Sequence, residues 1–249
     1  MSLSWLKRKH LRIGLGAKRV MVSGGKAVEL SQSDDWRAAV DALPEILKSH
    51  KTREASVVLA DQFARYALLP WNEAVKTPEQ WLALARHRFS ALHGAVSADW
   101  DVKVTETAPM GARLACAVDR ELIERLAAAF VASGVNLVSV QPFLVAAFNR
   151  IRKTIGNGAC WIVVEEPGRL TLALIQRGAW VAIRSRRSDE RWRTQLPEIL
   201  ERESAFLGLD KPCTRVIVCA QGDFEFDTQM QETWRADAMS YRDLALATE

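Results

Sequence analysis

Glu165-Glu166 are the residues best suited to acid–base work, because two acids held close can split their ionisations, one keeping its proton while the other is charged. They end an apolar run from Cys160 that reads as a strand. Successive strand residues point to opposite faces, so the pair is not expected to converge. Of the four histidines, His10, His50, His87 and His93, only the last two are near each other, and a six-residue gap on a helix puts them on different faces. No metal is expected. Cys116, Cys160, Cys213 and Cys219 contain no Cys-x-x-Cys pair, and all but Cys213 lie among apolar neighbours, so neither zinc nor a disulfide is expected. Gly-x-Ser-x-Gly, a Walker loop and a Cys–His pairing are all missing, which argues against nucleophilic or phosphoryl-transfer catalysis. Nine tryptophans could stack on bases, but Trp36, Trp81 and Trp192 fall on apolar helical stripes, and Trp161 and Trp180 lie in strands. Core packing is the better account of these five. Trp71, after Pro70, and Trp100, before Asp101, are less internal and are candidates for contact with a partner.

The 249-residue chain that must position these groups is 49% hydrophobic and 26% charged, an ordinary globular composition with room for one large domain or two small ones. Its apolar runs stay well short of the roughly 20 residues that cross a bilayer. Lys7-Arg8-Lys9 has no apolar stretch behind it, so the start does not read as a signal peptide and a cytoplasmic protein is expected. The net charge of +4 is concentrated there and in Arg184-x-Arg186-Arg187 with Arg191 and Arg193. These basic groups are few and no acidic cluster accompanies them, so no nucleic-acid partner is expected.

An internal repeat organises the chain. Leu43-Pro44-Glu45-Ile46-Leu47 recurs 153 positions later as Leu196-Pro197-Glu198-Ile199-Leu200, and the same shift carries Gly25 to Gly178, Val28 to Val181 and Leu30 to Ile183. Ahead of each pentapeptide lie three strands with glycine-bearing turns: Leu11–Leu15, Arg19–Val22 and Ala27–Leu30 in the first copy, Cys160–Glu165, Leu170–Ile175 and Ala179–Ile183 in the second. Helical stripes follow, Trp36-Val40-Leu43-Leu47 and Trp192-Leu196-Ile199-Glu203-Phe206, each with a proline that should kink or restart the helix. One more strand closes each copy, Ser56–Leu59 and Arg215–Cys219. The unit is βββαβ, present twice.

Between the copies, Phe63–Leu69 reads as an extended segment, and Thr77-Pro78-Glu79-Gln80 is a capping box opening a helix that should bury Trp81, Ala85, Phe89 and Leu92 and stop at Gly94. A strand pair is expected at Trp100–Thr105 and Ala112–Val118. Asp119 then caps a helix burying Leu122, Leu126 and Phe130 and closing at Gly134. Gln141-Pro142 opens a last helix, with Arg150, Arg152 and Lys153 placed to complement its dipole before Gly156.

A duplicated βββαβ unit resembles the actin-like superfamily, whose ribonuclease-H-like halves bind ATP between them. Three segments resemble the PilM and GspL-cytoplasmic-domain group of type IV pilus and type II secretion proteins: Val57-Val58-Leu59 with Leu68-Leu69-Pro70 and its capped helix; Ala115–Val118, helix 119–133, Gly134, Val138-x-Val140 and Pro142; and Cys160–Gly168 with Gly178 and Arg184. The resemblance implies an α/β fold divided into a first half (1–60), an inserted subdomain (61–118), helices completing that half (119–157) and a second half (158–249). Actin-like ATPases carry Asp-x-Gly at the first hairpin of each half, where amides cradle phosphate and the acid positions Mg²⁺. Here the positions read Gly14-Leu15-Gly16, without a carboxylate, and Glu166-Pro167-Gly168, where proline removes a donor. The adenosine-side glycines are reduced to Gly222. The resemblance with eroded loops therefore implies a pseudo-ATPase without an ATP/Mg cofactor. Such a protein would be a scaffold lying peripherally at the inner membrane and holding the short cytoplasmic tail of a membrane-spanning subunit, with a cytoplasmic secretion or pilus ATPase as a further partner. Arg65, Pro70, Trp71 and Trp100 are the candidate contacts. The alternative is an ATP-binding actin-like switch or enzyme.

Overall fold

The protein is described by a computed structural model that covers residues 10–30, 35–50, 52–105, 111–209, 213–220 and 234–240. Lys7-Arg8-Lys9 and Gly222 lie outside the described residues.

In the first half β1 (His10–Leu15), β2 (Arg19–Val22) and β3 (Val28–Glu29) form an antiparallel meander, followed by α1 (Arg37–Asp41), α2 (Leu43–His50) and β4 (Glu54–Leu59). The inserted stretch is β5 (Ala64–Leu69), α3 (Pro78–His93), β6 (Trp100–Val104) and β7 (Arg113–Asp119). The chain then returns through α4 (Arg120–Ala132) to β8 (Asn136–Pro142) and leaves by α5 (Phe143–Ile155). The second half repeats the plan with β9 (Ala159–Glu166), β10 (Arg169–Gln176), β11 (Ala179–Arg187), α6 (Trp192–Phe206), β12 (Arg215–Ala220) and β13 (Arg235–Ser240).

The two large sheets have the same strand order, β3-β2-β1-β4-β8 and β11-β10-β9-β12-β13, with the last two strands of each parallel to the first. Each half is therefore one strand longer than the βββαβ unit read from the repeat. β8 and β13 are edge strands, half-buried or exposed along much of their length, so neither carries the apolar run that marks β4 or β12. Leu43, Ile46 and Leu47 on α2 and Leu196, Ile199 and Leu200 on α6 are all buried, on the helix that follows the meander in each half. Proline acts differently in the two copies. Near Pro44 the helix stops at Asp41 and restarts at Leu43, whereas α6 runs unbroken past Pro197.

Alternation along the strands sorts the core into layers. Leu11, Ile13 and Leu15 of β1 and Ala55, Val57 and Leu59 of β4 face α1, α2 and α4, while Val58 faces the other way, towards α5 and the second half. β9 is buried on both faces: Cys160, Ile162 and Val164 meet α5, and Trp161 and Val163 meet α6. The inserted antiparallel sheet, in the order β5-β7-β6, carries its own core of Trp81, Ala85 and Phe89 from α3 against Leu69, Val102 and Ala115. Two expected core residues are outside. Leu92, 54% exposed, lies in the last turn of α3, and Phe206, 79% exposed, is the last residue of α6.

Candidate functional site

The two halves meet where the end of β4, the start of β5, the first turn of α5 and the β9–β10 turn converge. Asp61 directly follows the buried run Val57–Ala60 and is itself 1% exposed. Its Oδ1 accepts the Tyr66 hydroxyl (2.5 Å) and the Leu144 amide (3.0 Å). The latter bond caps α5, whose own N-cap residue, Pro142, has no side-chain acceptor to offer. Asp61 therefore holds the entry into the helix that links the halves.

The second acid is Glu166, 2% exposed at the end of β9. Both of its carboxyl oxygens, and Asp61 Oδ2, are buried without a hydrogen-bond partner. Burial, and then the Asp61 charge, push the Glu166 carboxyl well above its usual range, against the pull of the Asp61 and Gln62 backbone amides and of Arg169. Burial likewise pushes Asp61 up to about 6, although Tyr66, the Leu144 and Phe143 amides and Arg169 favour its charged form. The two acids therefore titrate as a unit, and burial together with the like charge makes each harder to ionise than in water. The Tyr66 hydroxyl is raised well above its ordinary value by burial and by Asp61, so it stays a donor. Arg169 donates to the Asp61 carbonyl (3.4 Å), and Arg65 donates to the Gln62 and Ala64 carbonyls (2.9 and 3.0 Å). Burial and the nearby Arg169 charge lower the Arg65 guanidinium.

Glu165 and Glu166 do not converge: Glu165 is half-exposed, and the acid neighbour of Glu166 is Asp61. Asp61 escaped the sequence reading. Its signal was a lone carboxylate directly after the apolar run Val57-Val58-Leu59-Ala60.

The phosphate-loop positions hold little that could grip an anion. Gly14 is a strand residue, opposite Met21 on one side and Val58 on the other, rather than part of a turn. The turn begins at Gly16, whose amide donates to the Arg19 carbonyl, and a Cβ there would meet that oxygen at 3.2 Å. Glu166 pairs with Arg169 in register, so the second hairpin turns on two residues, Pro167 and Gly168, with Gly168 at φ 78°. That is the pattern of a type II turn, which offers no loop to wrap a phosphate. Among the described residues no cluster of three or more metal-ligating side chains occurs. The four cysteines are free thiols, and here the sequence expectation is reversed in part, since Cys213 is buried and Cys116 half-buried.

In the inserted unit, Trp71 is 39% exposed and stacks on buried Trp81 (ring centroids 6.2 Å apart), which Arg113 covers from 4.6 Å. Pro70 is exposed. Trp100 packs edge-on against His93 (5.0 Å) and Phe89 (6.0 Å) at the other end of α3. Trp71 and Trp100 thus pack against α3 residues, Trp81 and Phe89, that lie about two turns or roughly 12 Å apart along the helix. Arg65 is at the junction of the halves, away from both. The basic cluster is largely spoken for: Arg184 approaches Glu203 (3.7 Å), Arg191 pairs with Asp189 (2.9 Å) and Arg193 lies over Trp192 (5.6 Å).

Duplicated sheets of identical strand order, joined by a helix and interrupted by an inserted unit, match solved structures across nearly the whole chain. One is a protein of actin-like ATPase fold from Bacteroides thetaiotaomicron, with a TM-score of 0.58 and 11% identity, covering 96% of this chain and 94% of that one. The chain has the actin-like fold. It is also similar to a chain of the PilM–PilN type IV pilus biogenesis complex, with a TM-score of 0.68, 11% identity and coverage of 97% and 90%. The cytoplasmic domain of EpsL, an inner-membrane component of the Vibrio cholerae type II secretion system, matches with a TM-score of 0.59 and 12% identity over 96% and 95%. No family model and no curated protein matches the sequence. Among the described residues no helix is long and apolar enough to cross a membrane. In this actin-like frame the Asp61–Glu166 pair lies at the junction of the halves, Asp61 just after β4 and Glu166 at the start of the β9–β10 turn.

Proposed function

We propose that this actin-like protein is a non-catalytic, cytoplasmic scaffold of an inner-membrane assembly platform related to type IV pilus and type II secretion machines. It holds the cytoplasmic tail of a membrane-spanning subunit on its inserted unit. The likeness to PilM in its complex with PilN, and to the EpsL domain, supports the class of machine. The observation that carries the non-catalytic reading is the β9–β10 turn: two residues long, lacking one amide, and with its acid buried against Asp61 instead of facing a ligand. A fold kept without its phosphate-binding chemistry is a fold kept for binding.

Trp71 supports the choice of surface, being an exposed aromatic beside a rigid proline and braced by Trp81. The test is titration of a peptide corresponding to the cytoplasmic tail of the membrane-spanning subunit encoded in the same gene neighbourhood. Trp71→Ala should weaken its capture at least about tenfold, with far-UV dichroism and melting temperature nearly unchanged. An intact variant that binds normally removes the inserted unit as the site.

A further inference from the structure

α5 has two working faces. Phe143, Leu144, Ala147, Ile151 and Ile155 enter the core shared with the second half. Ala146, Asn149, Arg150 and Lys153 lie on another stripe and roof a cavity of about 510 Å³ over the first sheet. The floor is set by register. Arg12 of β1 is opposite Ser56 of β4, which is opposite Ser139 of β8, so the three side chains form one row on one face. In the next row Val58 of β4 is opposite Gln141 of β8, and both line the cavity.

This lining is unusual for the middle of a sheet. Ser139 donates to Ser56 (2.9 Å), which also shares a hydrogen bond with His10 Nε2 (2.9 Å). Asn149 donates to Gln141 (3.3 Å). Four cations, Arg12, Arg150, Arg152 and Lys153, line the cavity and no acid does. Among the described residues, none of the four forms an ion pair. A purely local role at the helix end does not account for them, because the Arg215 guanidinium already donates to the Thr154 and Ile155 carbonyls (2.8 and 3.4 Å) at the C-terminus of α5. Nor does it explain Arg12, which belongs to the sheet.

We infer that the groove between α5 and the β1-β4-β8 face is a binding site for a phosphate-bearing anion. Guanidinium forks from floor and roof match phosphate oxygens two at a time, and the serine hydroxyls and Gln141 supply neutral bonds beneath them. The volume is that of a small-ligand site. The site is separate from the eroded phosphate hairpins and stands whether or not the scaffold reading does.

Sodium pyrophosphate is the probe, titrated calorimetrically and by thermal shift against sodium chloride of equal ionic strength. Saturable binding and a raised melting temperature are expected for the wild type, weakened at least tenfold in the pair Arg12→Gln and Arg150→Gln and retained in Arg202→Gln, an exposed cation on α6. The single change Lys153→Gln, at an exposed position, serves if the double variant loses its native dichroism. Vesicles of phosphatidylglycerol in phosphatidylcholine distinguish the sources. Co-sedimentation competed by pyrophosphate assigns a lipid headgroup, and pyrophosphate binding without co-sedimentation assigns a soluble phosphorylated molecule. No binding at 10 mM pyrophosphate, binding unchanged in the variants, or binding of polyglutamate that pyrophosphate does not displace overturns the assignment.

Discussion

Replacing Glu166 by glutamine should stabilise the protein at neutral pH and flatten its pH dependence. Glu166 and Asp61 are both buried at the junction of the halves, and both have folded-state values raised by burial, Asp61 to about 6 and Glu166 well above its ordinary range. In the unfolded chain these acids ionise near pH 4. Between that pH and the folded-state values the native protein therefore holds protons that the unfolded chain has released. Stability then falls as pH rises, by about 1.4 kcal/mol per pH unit for each extra proton. For Asp61 the rise from 3.8 to about 6 corresponds to roughly 3 kcal/mol between pH 4 and pH 7, an upper figure because the pair titrates as a unit. Glu166→Gln removes the like charge and offers an amide donor to the carboxylate side, where Asp61 Oδ2 now has no partner. The gain should be roughly 2 kcal/mol at pH 7.5 and close to zero at pH 4. Urea unfolding of both proteins across this range gives the difference directly, with the other titrating groups cancelling. A variant less stable by more than about 1 kcal/mol at pH 7.5, or a wild type whose stability climbs from pH 5 to pH 7 relative to the variant, would show Glu166 charged and well paired, and the argument would fail.

Trp81, 1% exposed and packed between Trp71 and Arg113, anchors the inserted unit, and Trp81→Ala should cost about 3–5 kcal/mol, seen as protease sensitivity confined to residues 64–119 before global unfolding. The β10–β11 turn puts Arg177 at φ 52° ahead of Gly178 at φ 75°, so Arg177→Asn should raise stability by up to about 1 kcal/mol in thermal or urea unfolding. Millimolar ATP with Mg²⁺ should leave the melting temperature unchanged. A nucleotide bound at 100 times its dissociation constant would add about 2.7 kcal/mol, which at this size is a shift of a few degrees.

The sequence by itself determined the elements whose causes are local. Thr77 and Gln80 form the reciprocal capping box because both partners lie within one turn, and Asp119 caps α4 through the Glu121 amide for the same reason. The pentapeptide repeat located α2 and α6, since a buried Leu-x-x-Ile-Leu stripe is a property of helical period alone. What periodicity cannot report is which neighbour covers a face, or whether one does. Leu92 and Phe206 continue their stripes correctly, yet at the last turns of their helices no neighbour covers them. β8 and β13 have little apolar pattern because an edge strand owes its place to a ladder with β4 or β12, formed by backbone groups common to every residue. The Asp61–Glu166 junction and the Arg12-Ser56-Ser139 row were decided by tertiary structure alone. Their members come from strands and turns far apart in the chain, and a carboxyl's burial or a guanidinium's lack of a partner exists only once those strands are in register.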